Sequence, residues 1–146
     1  MYKVKTIYND EDILLFEQMR TKSFNTGENI KTLNQSPYAK DIKEMNLVAL
    51  MCSDENENAV GGALIGVKKN NLFIHYLFVN KENRHKKIGS VILNFIARKK
   101  QMFEDFFFED FNSIVAEPLF GCEDFYYKNG FDSYRTVMYK KIKKNN

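Results

Sequence analysis

The alternation of hydrophobic and polar residues predicts a strand followed by a helix at the start of the chain. Residues 2–8 alternate with the period of a strand. Asn9 then precedes three acidic residues, as is typical of a helix N-cap, and hydrophobic residues at helical spacing continue to about residue 24. Residues 25–35 are polar and predict a loop. Ser36-Pro37 predicts a short second helix, because proline suits the first helical position.

The same pattern, together with turn residues, assigns most of the remaining chain. Apolar runs predict strands over residues 46–52, 59–68, 72–79, 113–116 and 134–142. Helical periodicity predicts helices over residues 88–102 and 123–128. Asn70-Asn71 predicts a hairpin turn, and Asn129-Gly130 predicts a helix end with Gly130 in the left-handed conformation. The order β-α-α-β-β-β-α-β-α-β indicates an α/β (α+β) fold, with a mixed, mostly antiparallel sheet of about six strands flanked by about four helices.

Residues 103–111 contain five phenylalanines among acidic residues and fit neither period well. We expect a helix end and a loop whose rings fill the core. An exposed surface for a partner is the alternative interpretation.

Length and composition narrow the classes of protein. The 146 residues predict a single domain over 1–146, and a hydrophobic fraction of 44% is sufficient for one core. Net charge is only +3, and the basic run Lys140–Lys144 is more typical of a solvated chain end than of a nucleic-acid site. We therefore expect no nucleic-acid partner.

The cysteines and the apolar runs give further expectations. Cys52 and Cys122 form no CxxC pair and have no metal-ligand spacing with His75 and His85, so we expect no metal, and a disulfide is left open. The N-terminus lacks the apolar core of a secretion signal, and no apolar run reaches the roughly 20 residues that span a bilayer. We expect a cytoplasmic protein without a membrane partner.

The segment between the predicted strand at 72–79 and the following helix has the character of an anion site. Four basic residues, a glycine and a serine lie in Arg84-His85-Lys86-Lys87-Ile88-Gly89-Ser90. Unpaired N–H groups and the positive end of the helix dipole lie at a helix start. A phosphate group of a nucleotide-like cofactor is the expected ligand.

Three segments together resemble the GNAT superfamily of acetyl-CoA-dependent N-acetyltransferases. The family's phosphate loop reads Arg/Gln-x-x-Gly-x-Gly/Ala, and here Arg84 and Gly89 match while Lys87 stands at the first glycine. The later family segment Phe-Tyr-x-Lys-x-Gly-Phe is matched in full from Phe125 to Phe131. The run Ile74-His75-Tyr76-Leu77-Phe78-Val79 matches apolar-x-x-Leu-x-Val and predicts a β-bulge, because its inward period changes from two to three.

The resemblance implies a GNAT domain that moves an acetyl group from acetyl-CoA to a primary amine, of a small molecule or of a peptide, by direct attack. It assigns cofactor binding to the strand end and the loop, namely Leu77, Phe78, Val79, Arg84, His85, Lys86, Lys87, Ile88, Gly89 and Ser90. If the Lys87 position requires a positive φ, its side chain strains the loop. The family's asparagine and alanine after the fifth strand fall here on Leu119 and Cys122, which removes a polar contact to the cofactor arm.

The resemblance also suggests catalytic residues. Tyr126 matches the family tyrosine that protonates the leaving thiolate, and Tyr127 is expected to be a structural ring. His75 in the bulge or Glu117 after the fifth strand are candidate bases, since an imidazole of pKa about 6.5 suits neutral pH. Tyr76 acting through water, or no dedicated base, are further alternatives.

Two other functions remain alternatives to an enzyme. One is a GNAT-fold module that binds CoA or regulates without turnover, motivated by Lys87 and Leu119. The other is a basic nucleic-acid module, whose binding would be weak and steeply salt-dependent. The amine acceptor and the oligomeric state, including homodimerisation, are left open by the sequence.

Overall fold

A seven-stranded sheet organises the part of the chain that the computed structural model describes, residues 1–118, 122–134 and 137–142. The strands are β1 (Lys3–Ile7), β2 (Val48–Ser53), β3 (Ala59–Lys68), β4 (Asn71–Val79), β5 (Ser113–Ala116), β6 (Asp132–Tyr134) and β7 (Val137–Lys141). The α-helices are α1 (Asp10–Ser23), α2 (Ala39–Lys43), α3 (Ile88–Arg98), α4 (Lys100–Phe107) and α5 (Glu123–Lys128). Single 3₁₀ turns cover Leu33–Gln35 and Lys81–Asn83.

The sheet order is β1-β2-β3-β4-β5-β7-β6, and every pair of neighbouring strands is antiparallel except β4 and β5. The expected mixed, mostly antiparallel sheet is confirmed. It has one more strand than expected, because the run predicted as a single strand over 134–142 belongs to two strands, β6 and β7. Pattern alone missed the reversal, since the sequence from Tyr134 to Val137 contains no glycine, proline or asparagine.

Hydrophobic side chains pack on both faces of the sheet. On the first face, α3, α4 and α5 cover residues such as Leu50, Ile65 and Ile114. On the second face, α1 and α2 cover residues such as Met51 and Leu64. The alternation of the strands therefore produces two separate core clusters.

The helix boundaries follow local chemistry. The Asn9 side chain accepts a hydrogen bond of 2.8 Å from the Asp12 N–H, which confirms the predicted N-cap of α1. The regular second helix starts at Ala39 rather than at Pro37. The Ser36 hydroxyl still accepts hydrogen bonds from the N–H groups of Tyr38 and Ala39, as an N-cap side chain does. The helix predicted over 88–102 is broken at Lys99, whose ψ of 26° is not helical.

The phenylalanine-rich segment fills the core, as expected, for four of its five rings. Phe103 and Phe111 are buried, and Phe106 and Phe107 pack partly buried against the same cluster. Phe108 is 96% exposed and ends α4 in the left-handed conformation. The segment is therefore mainly structural.

The structure shows the state of the two cysteines and the length of the helices. Cys52 is buried and Cys122 is exposed, and both are free thiols, so the two do not form a disulfide. No helix within the described ranges is long and apolar enough to cross a membrane.

A buried ion pair anchors α1. The carboxylate of Glu17 accepts hydrogen bonds from Arg20 Nε at 2.7 Å and Nη2 at 3.1 Å, and both side chains are almost completely buried. The Ser36 hydroxyl donates to the same carboxylate at 2.6 Å. The Arg20 guanidinium also lies 4.7 Å from the ring centroid of Tyr38 and 4.8 Å from that of Tyr76. This cluster joins α1 to the segment before α2 and to β4.

Replacing Glu17 with alanine should lower the free energy of unfolding by about 3–5 kcal/mol, because it removes both hydrogen bonds to the buried Arg20 charge and leaves it with the more distant Glu28 carboxylate, 3.9 Å from Nη2. Urea unfolding followed by circular dichroism measures this. The matched control is Lys43→Ala, which removes an exposed pair with Asp10 at 2.8 Å and should cost less than about 1 kcal/mol. Equal costs for the two variants would contradict the anchoring role of Glu17.

Candidate active site

The predicted bulge in β4 is confirmed, and His75 is the inserted residue. Leu64 of β3 pairs with Tyr76, but the adjacent Ile65 pairs with Ile74, so His75 has no partner in the ladder. As a result, Ile74 and Leu77 both face the first core cluster, whereas Tyr76 faces the second. The bulge changes which side chains of β4 point to each face.

The strands β4 and β5 separate at the bulge, directly after Ile74. They pair only from Leu72 to Ile74 and from Ile114 to Ala116. From His75 to Val79, the edge of β4 that faces β5 has no strand partner in the described sheet. An extended ligand could therefore lie along this edge and hydrogen-bond to its backbone.

The loop from Arg84 to Ser90 connects this strand edge to α3. Arg84 Nε donates a hydrogen bond of 3.2 Å to the carbonyl oxygen of Val79, which fixes the loop against the strand end. His85 and Lys87 both have left-handed φ values, 68° and 63°. A left-handed residue followed by a helical one aims successive N–H groups at one point, which forms a concave anion site.

The side chains of this loop divide into exposed and packed ones. Arg84, His85, Lys86 and Lys87 are exposed, so the charges of the arginine and the two lysines are available to an anion. Ile88 is 1% exposed and packs in the core, so its side chain is not available to a ligand. Lys87 has a positive φ, so the strain expected for a side chain at this position is present, because a Cβ is unfavourable in the left-handed conformation.

Gly89 allows α5 to approach the start of α3. A Cβ at this position would lie 2.9 Å from the ring of Phe125, so a side chain does not fit without movement. The next residue of α5, Tyr126, is 8% exposed and packs edge-on against Phe125 and Phe131. Gly89 therefore sets the spacing between the loop and the helix that carries Tyr126.

Tyr126 is protonated at neutral pH. Burial raises the pKa of Tyr126 to about 12, with a smaller contribution from Cys122. Its neighbour Tyr127 is 48% exposed, so the expectation that Tyr127 is the structural ring is wrong: on this short helix Tyr126 faces the core.

On the opposite face of the sheet, His75 lies in a group with Lys68 and Glu117. Lys68 Nζ is 3.1 Å from Glu117 Oε1 and 4.9 Å from the ring centroid of Phe73, which in turn packs edge-on against His75. Partial burial and the Lys68 charge lower the pKa of His75, and Glu117 opposes this shift. His75 is therefore neutral near pH 7 and able to accept a proton.

Sequence reasoning missed two features of this site. Gly66 on β3 makes room for the imidazole, since a Cβ there would lie 2.7 Å from His75 Nε2. Tyr76, which was considered only as a base acting through water, is held by Arg20 and by a 3.0 Å hydrogen bond with the Tyr38 hydroxyl. The glycine within the predicted strand was a sequence signal for the space beside His75. Nothing in the local sequence indicates the contacts of Tyr76 with Arg20 and Tyr38.

The predicted site residues thus fall into three groups. The loop lies at the C-terminal end of β4, Tyr126 lies on the α5 face, and His75 and Glu117 lie together on the opposite face. Cys122 is exposed just before α5, and not a packed substitute for the family alanine as expected. Leu119 lies outside the described residues.

The described residues contain no group of three or more His, Cys, Asp or Glu side chains that could hold a metal ion.

Comparison with known proteins identifies the fold. No protein-family model matches the sequence, and no curated protein matches it. Among solved structures, a GNAT-family acetyltransferase from Staphylococcus aureus Mu50 is 17% identical with a TM-score of 0.66, covering 98% of this chain and 100% of that one. An aminoglycoside 6'-N-acetyltransferase complexed with coenzyme A is 11% identical with a TM-score of 0.73, covering 99% of each chain. The PaiA N-acetyltransferase of Thermoplasma acidophilum, also in complex with coenzyme A, is 16% identical with a TM-score of 0.62, covering 97% of this chain and 99% of that one. The chain has the GNAT fold.

Replacing Lys87 with glycine should relieve the strain of the left-handed conformation, about 1 kcal/mol, partly offset by the greater freedom of glycine in the unfolded chain. The control is Lys86→Gly, which removes the same charge at a neighbour that is not among the left-handed residues. We expect Lys87→Gly to be more stable than Lys86→Gly by about 1 kcal/mol in urea unfolding. A Lys87→Gly variant no more stable than Lys86→Gly would mean that Lys87 is unstrained.

Proposed function

We propose that this protein is an N-acetyltransferase that transfers the acetyl group of acetyl-CoA to a primary amine. Two features together carry the proposal: the loop before α3 with left-handed His85 and Lys87, and the unpaired edge of β4 from His75 to Val79. The loop suits a diphosphate, and the strand edge suits an extended arm that contains amides. The GNAT fold, and the coenzyme A that accompanies two of the similar structures, support the same cosubstrate.

Acetyl-CoA would be held mainly by backbone groups. In the proposed mode, N–H groups at the start of α3 bind the diphosphate, and the exposed Arg84, Lys86 and Lys87 add positive charge. The backbone from Leu77 to Val79 pairs with the arm that carries the thioester. Ile88 contributes only its N–H, because its side chain is packed in the core.

The chemistry then needs one proton acceptor and one proton donor. His75 takes a proton from the acceptor ammonium, and the free amine nitrogen forms a bond to the thioester carbonyl carbon. The carbon–sulfur bond breaks, the electron pair leaves with sulfur, and Tyr126 donates its phenolic proton to the thiolate. The nitrogen, now bonded to the acetyl group, loses its second proton to solvent, and solvent returns a proton to the Tyr126 phenolate. A backbone N–H near Leu77 would stabilise the negative charge that develops on the carbonyl oxygen.

His75 is a better candidate for the base than Glu117. The Glu117 carboxylate is already in an ion pair with Lys68. By contrast, the pKa of His75 is lowered by burial and by Lys68, so the imidazole is free of its proton at neutral pH. Glu117 instead becomes a positioning residue that moderates the Lys68 charge.

Replacing Tyr126 with phenylalanine should lower kcat about a hundredfold or more, because it removes the proton donor and keeps the ring. Acetyl-CoA affinity, measured by titration calorimetry, should not change. The control is Tyr127→Phe on the exposed side of the same helix, which should leave kcat unchanged.

Equal kcat values in wild type and Tyr126→Phe would remove Tyr126 from this role. Wild-type protein that fails to bind acetyl-CoA would overturn the proposed function itself. Wild-type protein that binds acetyl-CoA but transfers it to none of a broad set of amines would favour a CoA-binding module without turnover.

The pH profile tests His75. With His75 as the base, wild-type kcat/KM should fall with a slope of one only below the lowered pKa of His75, because the neutral imidazole takes the proton of the bound ammonium. In His75→Gln the free amine must form in solution, so kcat/KM should already fall with a slope of one below the much higher pKa of the substrate amine. Glu117→Gln should shift the His75 ionisation to lower pH, because Glu117 raises the pKa of His75 while Lys68 lowers it. The same acid limb in wild type and His75→Gln would exclude His75 as the base.

A further inference from the structure

A trough of about 570 Å³ lies on the sheet face that carries His75. It is lined by Lys68, Lys69, Asn71, Ser113, Val115, Glu117 and Tyr139. All of these residues belong to strands or directly follow one, so the floor is the sheet itself. Val115 and Tyr139, which pair across β5 and β7, give this floor an apolar centre.

One end of the trough adjoins the proposed reaction centre. Glu117 comes directly after the last β5 residue that pairs with β4, and Lys68 joins it in an ion pair. His75 is coupled electrostatically to both. Because the Glu117 carboxylate offsets the Lys68 ammonium, this end carries little net charge. The proposed base His75 lies beside it, packed edge-on against the Phe73 ring that the Lys68 ammonium contacts.

The other end is positive. Lys69 lies in the turn between β3 and β4, beside Asn71, and Ser113 begins β5. Lys141 pairs with Ser113 in the sheet register and is exposed. Within the described residues, neither Lys69 nor Lys141 has a carboxylate partner within the 4.0 Å ion-pair distance. Two unpaired ammonium groups next to two polar side chains suit a carboxylate or phosphate group.

The two ends are four residues apart along β5. At about 3.3 Å per residue, Ser113 and Glu117 are separated by about 13 Å. We propose that the trough is the acceptor site and that it selects a dipolar amine, with the primary amine at His75 and a carboxylate or phosphate near Lys69. This inference rests on the proposed acetyltransferase function and adds the substrate class.

Tetraglycine is a suitable probe, because four extended residues span about 13–14 Å. Its matched control is tetraglycinamide, which differs only in the terminal charge. In calorimetric titrations of protein saturated with CoA, we expect tetraglycine to bind at least about fivefold more tightly than the amide. Comparing 8-aminooctyl phosphate with octylamine in the same way distinguishes phosphate from carboxylate as the preferred anion.

Lys69→Gln should remove most of the preference for tetraglycine over its amide, and Lys69→Arg should retain it. Lys5→Gln, on β1 at the far edge of the sheet, should have no effect. Equal binding of acid and amide, with the same result for the phosphate pair, or an unchanged preference in Lys69→Gln, would overturn the inference.

The two proposals fail in different ways. Efficient acetylation of octylamine and tetraglycinamide, with no preference for the charged probes, would overturn the dipolar acceptor and leave the acetyltransferase function standing. Loss of acetyl-CoA binding in wild type would overturn the proposed function, whereas selective binding of tetraglycine without CoA would still support the trough as a site for dipolar amines.

Discussion

The bulge at His75 is the constraint on which the rest of the site depends. A regular β4 would continue its alternation, and then Tyr76 rather than Leu77 would face the helices α3 and α5. The inserted residue reverses this alternation, so Leu77 and Val79 pack against the first core cluster while Tyr76 and Phe78 pack against the second. Pairing with β5 also ends at Ile74, one residue before the bulge. A single inserted residue therefore accounts both for the free strand edge and for the position of the candidate base.

Buried charges hold α1 against the strand that carries the bulge. The Glu17–Arg20 pair fixes α1, and the Arg20 guanidinium lies against the ring of Tyr76, directly beside the bulge. Burial and the hydrogen bond with Tyr76 raise the pKa of Tyr38 to about 12, so the Tyr38 hydroxyl stays protonated at neutral pH and keeps its hydrogen bond with Tyr76. The cost of burying these polar groups is offset by the complete hydrogen bonding of the carboxylate.

The hydrophobic pattern predicted the bounds of an element correctly where turn residues mark both of its ends. The bounds of β3, β5 and α5 match those predicted, because alternation or helical spacing ends there at clear turn residues. The bulge was predicted because a change of period is visible in one strand. The split into β6 and β7 and the break at Lys99 were missed, since neither position has glycine or proline. The cluster of Arg20, Tyr38 and Tyr76 depends on residues distant in sequence that meet only in the fold, and no single segment signals it.

The placement of the candidate acid and base on opposite faces of the sheet has a chemical consequence. Burial acts on both groups, yet it favours the proton on the neutral phenol of Tyr126 and disfavours the proton on the imidazolium of His75. Each group is thereby kept in the protonation state that amine attack requires before the reaction begins. Because the two groups lie on opposite faces of the sheet, an amine arriving from the trough and a thiolate leaving toward α5 would use separate paths in the proposed mechanism. The sheet itself would then prevent the base from returning its proton directly to the leaving group, and the reaction would run from one face of the sheet to the other.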